Sequence, residues 1–289
     1  MSRDASAADV LRAAVATSVA RLVRHGPVAR AGNDPEGVHQ ARVATRRLRS
    51  DLRTFAPLLE EAWRASLVAE LAWLAEVLGA ARDADVLLER LRRRVREAET
   101  PPSAADRILG RLEERGRDAH RRLRTAMDSG RYRTLLDRLA EAAARPACTE
   151  AASGPAARLL PPLVRRRWRA LRRAVAAAGP APDPDALHRI RIRAKRARYA
   201  AEAVAPVVGP RADRFARAAA GVQEVLGEHH DAIVAGAWLR SVAAEQDGVD
   251  VAFALGVLAG LEDAAAARAL EAWPAAWAAL DRSPRGWMR

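Results

Sequence analysis

His39, Arg42, Arg46, Arg47, Arg49 and Arg53 recur mainly at spacings of three and four in the run DPEGVHQARVATRRLRSDLR, and His188, Arg191, Lys195, Arg196 and Arg198 do the same in DPDALHRIRIRAKRAR. Each residue of the second set lies 149 positions after its counterpart, so this is an aligned repeat and not merely shared arginine richness. Guanidinium groups present planar forks of donors, and ammonium and imidazole groups add further donors. Such a set recognises the oxygens of phosphate or carboxylate through charge-assisted hydrogen bonds. The chemistry these residues point to is anion binding.

The elements that must hold them are helices. Asp34-Pro35 and Asp183-Pro184 each read as an N-cap followed by proline in the first helical position. At about 100° per residue, His39, Arg42, Arg46, Arg49 and Arg53 fall within a sector of roughly 80°, while Ala44, Leu48, Leu52, Phe55 and Leu59 cluster on another. In the second copy His188, Arg191, Lys195 and Arg198 share the basic sector, opposite Ile190, Ala194, Ala197, Ala201 and Val204. Arg47 and Arg196 lie about 100° or more from the ladder centre. Glu202 stands where the first copy has Arg53, so the second ladder is one cation shorter. The longer ladder, from His39 to Arg53, would measure about 21 Å at 1.5 Å per residue.

A solvated helix face would mix signs to form i,i+4 pairs, yet neither Val38 to Ser50 nor Ala186 to Ala201 contains an acidic residue. Uncompensated like charges repel, which makes a ligand the natural counter-charge. Runs such as Arg92 to Arg94 and Arg165 to Arg167 lack the repetition and read as solvated faces. A second repeated pair follows the ladders at an offset of 148: Glu76 to Gly79 before Arg82-Asp83, and Glu224 to Gly227 before His230-Asp231. Gly79 and Gly227 suit helix C-terminal positions, and Asp83 and Asp231 suit the starts of following helices, as caps or as arginine partners.

In HQARVATRRLRSDLRTF, LAWLAEVLGAARDADVL, LHRIRIRAKRARYAAE and GVQEVLGEHHDAIVAGAWL, in that order, the chain resembles the conserved histidine α-helical domain, or CHAD, family. The resemblance implies an all-α fold of two pseudo-twofold-related antiparallel helical bundles. It also implies that the basic helices face a central groove that binds inorganic polyphosphate. Carried over by position, the binding set is His39, Arg42, Arg46, Arg49, His188, Arg191, Lys195 and Arg198; Arg47 and Arg196 match the motif, and Arg53 extends the first ladder. Many members of the family carry an additional triphosphate-tunnel domain. This chain lacks the alternating Glu-x-Glu-x-Lys strand of such a domain, and no catalysis is expected by inheritance.

The whole-chain character agrees. A net charge of +13 over 289 residues predicts an acidic partner, and a hydrophobic half rich in alanine supplies a core between closely packed helices. Helices are expected near 8–24, 36–59, 61–79, 83–98, 103–127, 131–144, 157–178, 185–207, 211–227, 230–246, 250–263 and 265–281. They form a first half over 1–145, a linker at 146–156 and a second half over 157–289, together one domain. The single cysteine, Cys148, excludes an intramolecular disulfide and suits a reducing compartment. The most apolar run, Val251 to Leu261, is far shorter than the roughly 18 residues of a membrane span. The N-terminus, with Asp4 and Asp9, lacks a signal core. A cytoplasmic location, with association to polyphosphate granules, is the expectation.

Other chemistry is poorly supplied. There is no phosphate loop of the Walker type and no nucleophile elbow. His229 and His230 diverge by about 100° on a helix and have no third spaced ligand. Neither a metal, a cofactor nor a catalytic residue is expected. The seven tryptophans sit mainly in apolar runs, and only Tyr199 lies inside a ladder, so the stacking platform of a single-strand binder is missing. Nonspecific binding of nucleic acid through the same ladders is the alternative reading, and a polyphosphate-processing enzyme is the third.

Overall fold

The computed structural model describes residues 5–245, 248–283 and 285–288. Asp4, and residue 246 where one helix is expected to end, lie outside them. The described residues form nine α-helices: α1 (Ala7–Ala31), α2 (Pro35–Thr54), α3 (Glu61–Glu97), α4 (Pro102–Asp128), α5 (Gly130–Ala144), α6 (Ala156–Ala178), α7 (Pro184–Val208), α8 (Pro210–Ala243) and α9 (Val249–Asp281). No strand occurs among them; two isolated bridges, Ser6 with Pro155 and Leu59 with Cys148, hold the ends of the expected linker.

The two Asp-Pro signals start helices as read. Asp34 accepts a hydrogen bond from the Glu36 amide at 2.8 Å and Asp183 from the Ala186 amide at 2.6 Å, with Pro35 and Pro184 opening α2 and α7. Pro57 stops α2 earlier than expected. The helix ends at Thr54, and Ala56–Leu58 turns as a short 3₁₀ segment, because proline offers no amide to the helical ladder. The first turn of α2 crosses α1 so closely that a Cβ on Gly37 would stand 2.6 Å from the Val28 side chain.

Three expected helix boundaries are absent. The segments 61–79 and 83–98 are one helix, α3; 211–227 and 230–246 belong to α8; and 250–263 and 265–281 belong to α9. Gly79 and Gly227 are therefore mid-helix residues, and Asp83 and Asp231 cap nothing. A mid-helix glycine weakens a helix by only about 1 kcal/mol relative to alanine. The leucines and alanines that α3 and α8 bury on both sides of their glycines outweigh that loss.

The apolar sectors of both ladders are buried as the periodicity requires: Ala44, Leu48, Leu52, Phe55 and Leu59 on one, Ile190, Ala194, Ala197, Ala201 and Val204 on the other. They belong to one core to which residues before and after the linker contribute together. A second core, around Leu91, Ile108, Leu239 and Leu255, joins the far ends of α3, α4, α8 and α9. Beside it, buried Glu262 on α9 accepts from Arg90 Nε at 2.8 Å and from Arg94 Nε at 3.0 Å, while Arg90 also reaches Glu228 of α8 at 2.7 Å. No described helix is long and apolar enough to cross a membrane.

Candidate anion-binding groove

Burying their apolar sectors in one core brings α2 and α7 together and turns their cationic sectors toward a shared space. Arg42, Arg46, Arg49 and Arg53 from α2, with Lys195 and Arg196 from α7, line a single cavity of about 260 Å³. Ser50, Thr54, Ile192 and Tyr199 complete its wall, and Arg167 enters from α6. Arg167 also donates to the Arg53 carbonyl, which fixes it at the rim.

The centre of the groove is electrostatically unsatisfied. Burial, together with the charges of Arg191, Arg46 and Arg42, pulls the Lys195 ammonium down to about 7. Burial lowers Arg46 and Arg191 as well, and the Arg42 charge pushes both further the same way. Arg49 is lowered by burial and then by Arg53 and Arg196. Among the residues lining the cavity, the Nε groups of Arg46 and Arg49 and the hydroxyls of Ser50 and Thr54 are buried without a hydrogen-bond partner. Buried donors left unpaired in a field of like charge favour any ligand that brings negative charge and many acceptor oxygens.

His39, Arg47, His188, Arg191 and Arg198 do not line this cavity. Arg47 NH2 pairs with Glu202 at 2.7 Å, and Arg198 Nε donates to the same carboxylate at 2.6 Å. Arg47 lines a separate cavity beside α1, together with Asp51, Tyr199 and Glu202. Burial raises the Asp51 carboxyl to about 8, against the pull of Arg47. Buried Tyr199 lies under three guanidinium groups, with Arg46, Arg47 and Arg198 Cζ atoms 5.5, 4.9 and 5.9 Å from its ring centre. Arg196, which shares Arg47's angular offset, nevertheless lines the groove, because α6 and Arg53 bring the wall out to meet it.

The second repeated segment supplies the outer corners. Arg42 reaches Asp83 at 3.1 Å and Arg191 faces Asp231 at 3.7 Å, so the aspartates are arginine partners. A Cβ on Gly227 would stand 3.6 Å from Arg191 NH2, and one on Gly79 would stand 3.8 Å from Arg42 Nε, so the two mid-helix glycines are the surfaces over which these guanidinium groups lie. His39 is lowered by burial and then by the charge of Arg82; His188 is lowered by burial and then by Arg191. His188 Nδ1 stands 3.2 Å from His230 Nδ1, and His230 falls to about 4 through burial and the Arg191 charge. His230 thus reaches the ladder, whereas adjacent His229 is buried. Neither His39 nor His188 lines the groove cavity; each marks an end of its ladder.

Reading of the sequence missed Arg167, Ser50 and Thr54. Arg167 sits in a run that reads as a solvated face, yet the signal that sets the ladders apart applies to it too: α6 contains no acidic residue. The hydroxyls carry no such signal.

A family model described as "CHAD domain" matches residues 13–240. Two Mycobacterium tuberculosis proteins, "Uncharacterized protein Rv2226" of strain H37Rv and "Uncharacterized protein MT2285" of strain CDC 1551, are each 36% identical over 96% of this chain. The chain spans about half the length of these relatives, 54% of each. Among solved structures, "PptA from Streptomyces chartreusis" superposes with a TM-score of 0.76 at 26% identity, covering 95% of this chain and 100% of that one. The "CHAD domain from the plant Ricinus communis" superposes with a TM-score of 0.79 at 27% identity, covering 99% of this chain and 95% of that one.

Proposed function

The chain belongs to the CHAD domain family, and from that premise and the groove we propose that it binds inorganic polyphosphate without hydrolysing it. The observation that carries this reading is the convergence of Arg42, Arg46, Arg49, Arg53 and Lys195 on one cavity whose buried donors lack partners. Polyphosphate offers charge and acceptor oxygens along its whole length and nothing else to be read, which is what guanidinium forks and hydroxyls meet. Tyr199, the aromatic of the ladder, is buried beneath arginines and offers no face for a base to stack on. The carboxylates nearest the ladders, Asp83, Asp231 and Glu202, face arginines. In this reading they trim the positive field and hold the side chains in place.

A cytoplasmic location and recruitment to polyphosphate granules follow from the proposal. The test is competition of long polyphosphate against duplex DNA at fixed salt, with release of phosphate monitored. Preference for polyphosphate with no phosphate released supports the proposal. Preference for DNA assigns the groove to nucleic acid, and steady release of phosphate assigns it to an enzyme.

A further inference from the structure

Beyond the groove, the outer face of α6 and the start of α7 carry a second uncompensated basic surface. Arg165, Arg166, Arg169, Arg172 and Arg173 line an open concavity of about 620 Å³ along α6. Arg173 also lines an adjoining one of about 450 Å³, shared with Arg189 and Arg193 of α7. The only acid on either wall is Asp183, and its carboxylate is engaged by the Ala186 amide as the cap of α7.

Several arginines elsewhere on the surface have acidic partners. Arg92 pairs with Glu113 at 2.6 Å, Arg131 with Glu70 at 2.7 Å and Arg111 with Glu245 at 3.0 Å. No ion pair within 4.0 Å to a described residue is made by any of the seven arginines of the α6–α7 face.

This surface also joins the groove. Arg166 directly precedes Arg167, which lines the groove, and Arg193 of the adjoining concavity lies one helical turn before Arg196, which also lines the groove; after burial, the charges of Arg166 and Arg193 lower Arg167 and Arg196 respectively. The cations therefore run without a break from Arg53, Arg167 and Arg196 over the rim to the α6 face. From that continuity, the two concavities and the missing counter-charges, we propose that the α6–α7 face is a second binding segment, over which a polyphosphate chain longer than the groove continues after leaving it. The inference rests on the groove reading and deepens it: the protein would favour long chains over chains that only fill the groove.

The experiment compares two probes by calorimetry at constant ionic strength: chains of about ten phosphates, matched to the roughly 21 Å ladder, and chains of about one hundred, able to bridge both segments. The variant Arg169→Gln/Arg172→Gln/Arg173→Gln/Arg189→Gln should bind the short probe within about twofold of the parent. For the long probe it should lose about tenfold or more in affinity, and its log-log salt slope should shrink by about 0.7 for each contact removed. Unchanged long-chain affinity overturns the inference, and so does loss of duplex DNA binding with polyphosphate binding intact, which would make the face a nucleic-acid surface. Equal loss for both probes also overturns it, because the face would then act only through net charge. Failure of the groove reading shows separately, as short-probe binding that survives Arg46→Glu/Lys195→Glu.

Discussion

Arg47 on α2 and Glu202 on α7 meet at 2.7 Å across the seam between the two basic helices, and Glu202 occupies the position where the repeat would place a counterpart of Arg53. One substitution in the second copy thus turns what would be a further repelling cation into a tie between the copies. Glu202→Gln should release Arg47 and Arg198 toward the ligand and raise polyphosphate affinity by about threefold to tenfold. Loss of this largely buried pair should reduce stability by about 1–3 kcal/mol. Calorimetry and thermal melting measure the two effects, and unchanged affinity would mean that Arg47 and Arg198 do not respond to the bound anion.

Reversing charge on the two ladders should matter far more than reversing it on the outer face of α3. Arg42→Glu with Arg46→Glu, or Arg191→Glu with Lys195→Glu, should nearly abolish binding while circular dichroism remains helical. Arg92→Glu with Arg93→Glu should do little, because those arginines already face Glu113 and Glu97 on the surface. Equal losses from the two sets would show that net charge alone drives association.

Binding should be steeply salt-dependent. With about six to eight cations engaged, and the coefficient for single strands applied to polyphosphate, the slope of log affinity against log salt should be about −4 to −6. A slope near −1 would be incompatible with a groove making many contacts.

Lys195 should dominate the pH dependence near neutrality. Its pKa of about 7 in the free protein means that above this pH binding must bring a proton in, since a polyanion favours the charged amine. Affinity should therefore fall as pH rises from about 6 to 9, and Lys195→Arg should flatten the curve because arginine stays charged. His39 and His188, already held below the ordinary imidazole value, act further to the acid side. Calorimetry in buffers of differing ionisation enthalpy reports the proton uptake. Stability follows the same linkage: the folded pKa lies below the unfolded value near 10.4, so this residue destabilises the fold fully below about pH 7 and progressively less as pH rises from there toward about 10.4. Lys195→Met should raise the melting temperature most at about pH 6, with the gain shrinking toward alkaline pH.

Glu262 should be structural. Its fully buried carboxylate joins Arg90 and Arg94, and Glu262→Ala would leave Arg90 with Glu228 and Arg94 with Glu97 as their remaining partners, at a cost of about 1–3 kcal/mol. Polyphosphate affinity, measured well below the lowered melting temperature, should stay within about twofold. A large loss would mean that the joint of α3, α8 and α9 controls the groove.

The sequence by itself determined the helical class, the starts of α2 and α7, and which face of each would be buried, because capping chemistry and the 3.6-residue period are local and written in residue order. The repeat and its missing acids singled out, for the same reason, the two helices whose cationic faces line the groove. What period and composition could not decide is where one helix axis lies relative to another. Arg47 and Arg196 share an angle on their helices, yet one pairs with Glu202 and the other lines the groove. Gly79 and Gly227 read as helix stops, but the packing of α3 and α8 carries the helices through them and gives the glycines to Arg42 and Arg191 instead. Arg167 enters the site only because α6 packs beside α7. Helix phase is set residue by residue, whereas membership of a groove is set by how several helices bury their apolar faces at once, and that global compromise exists only in the folded chain.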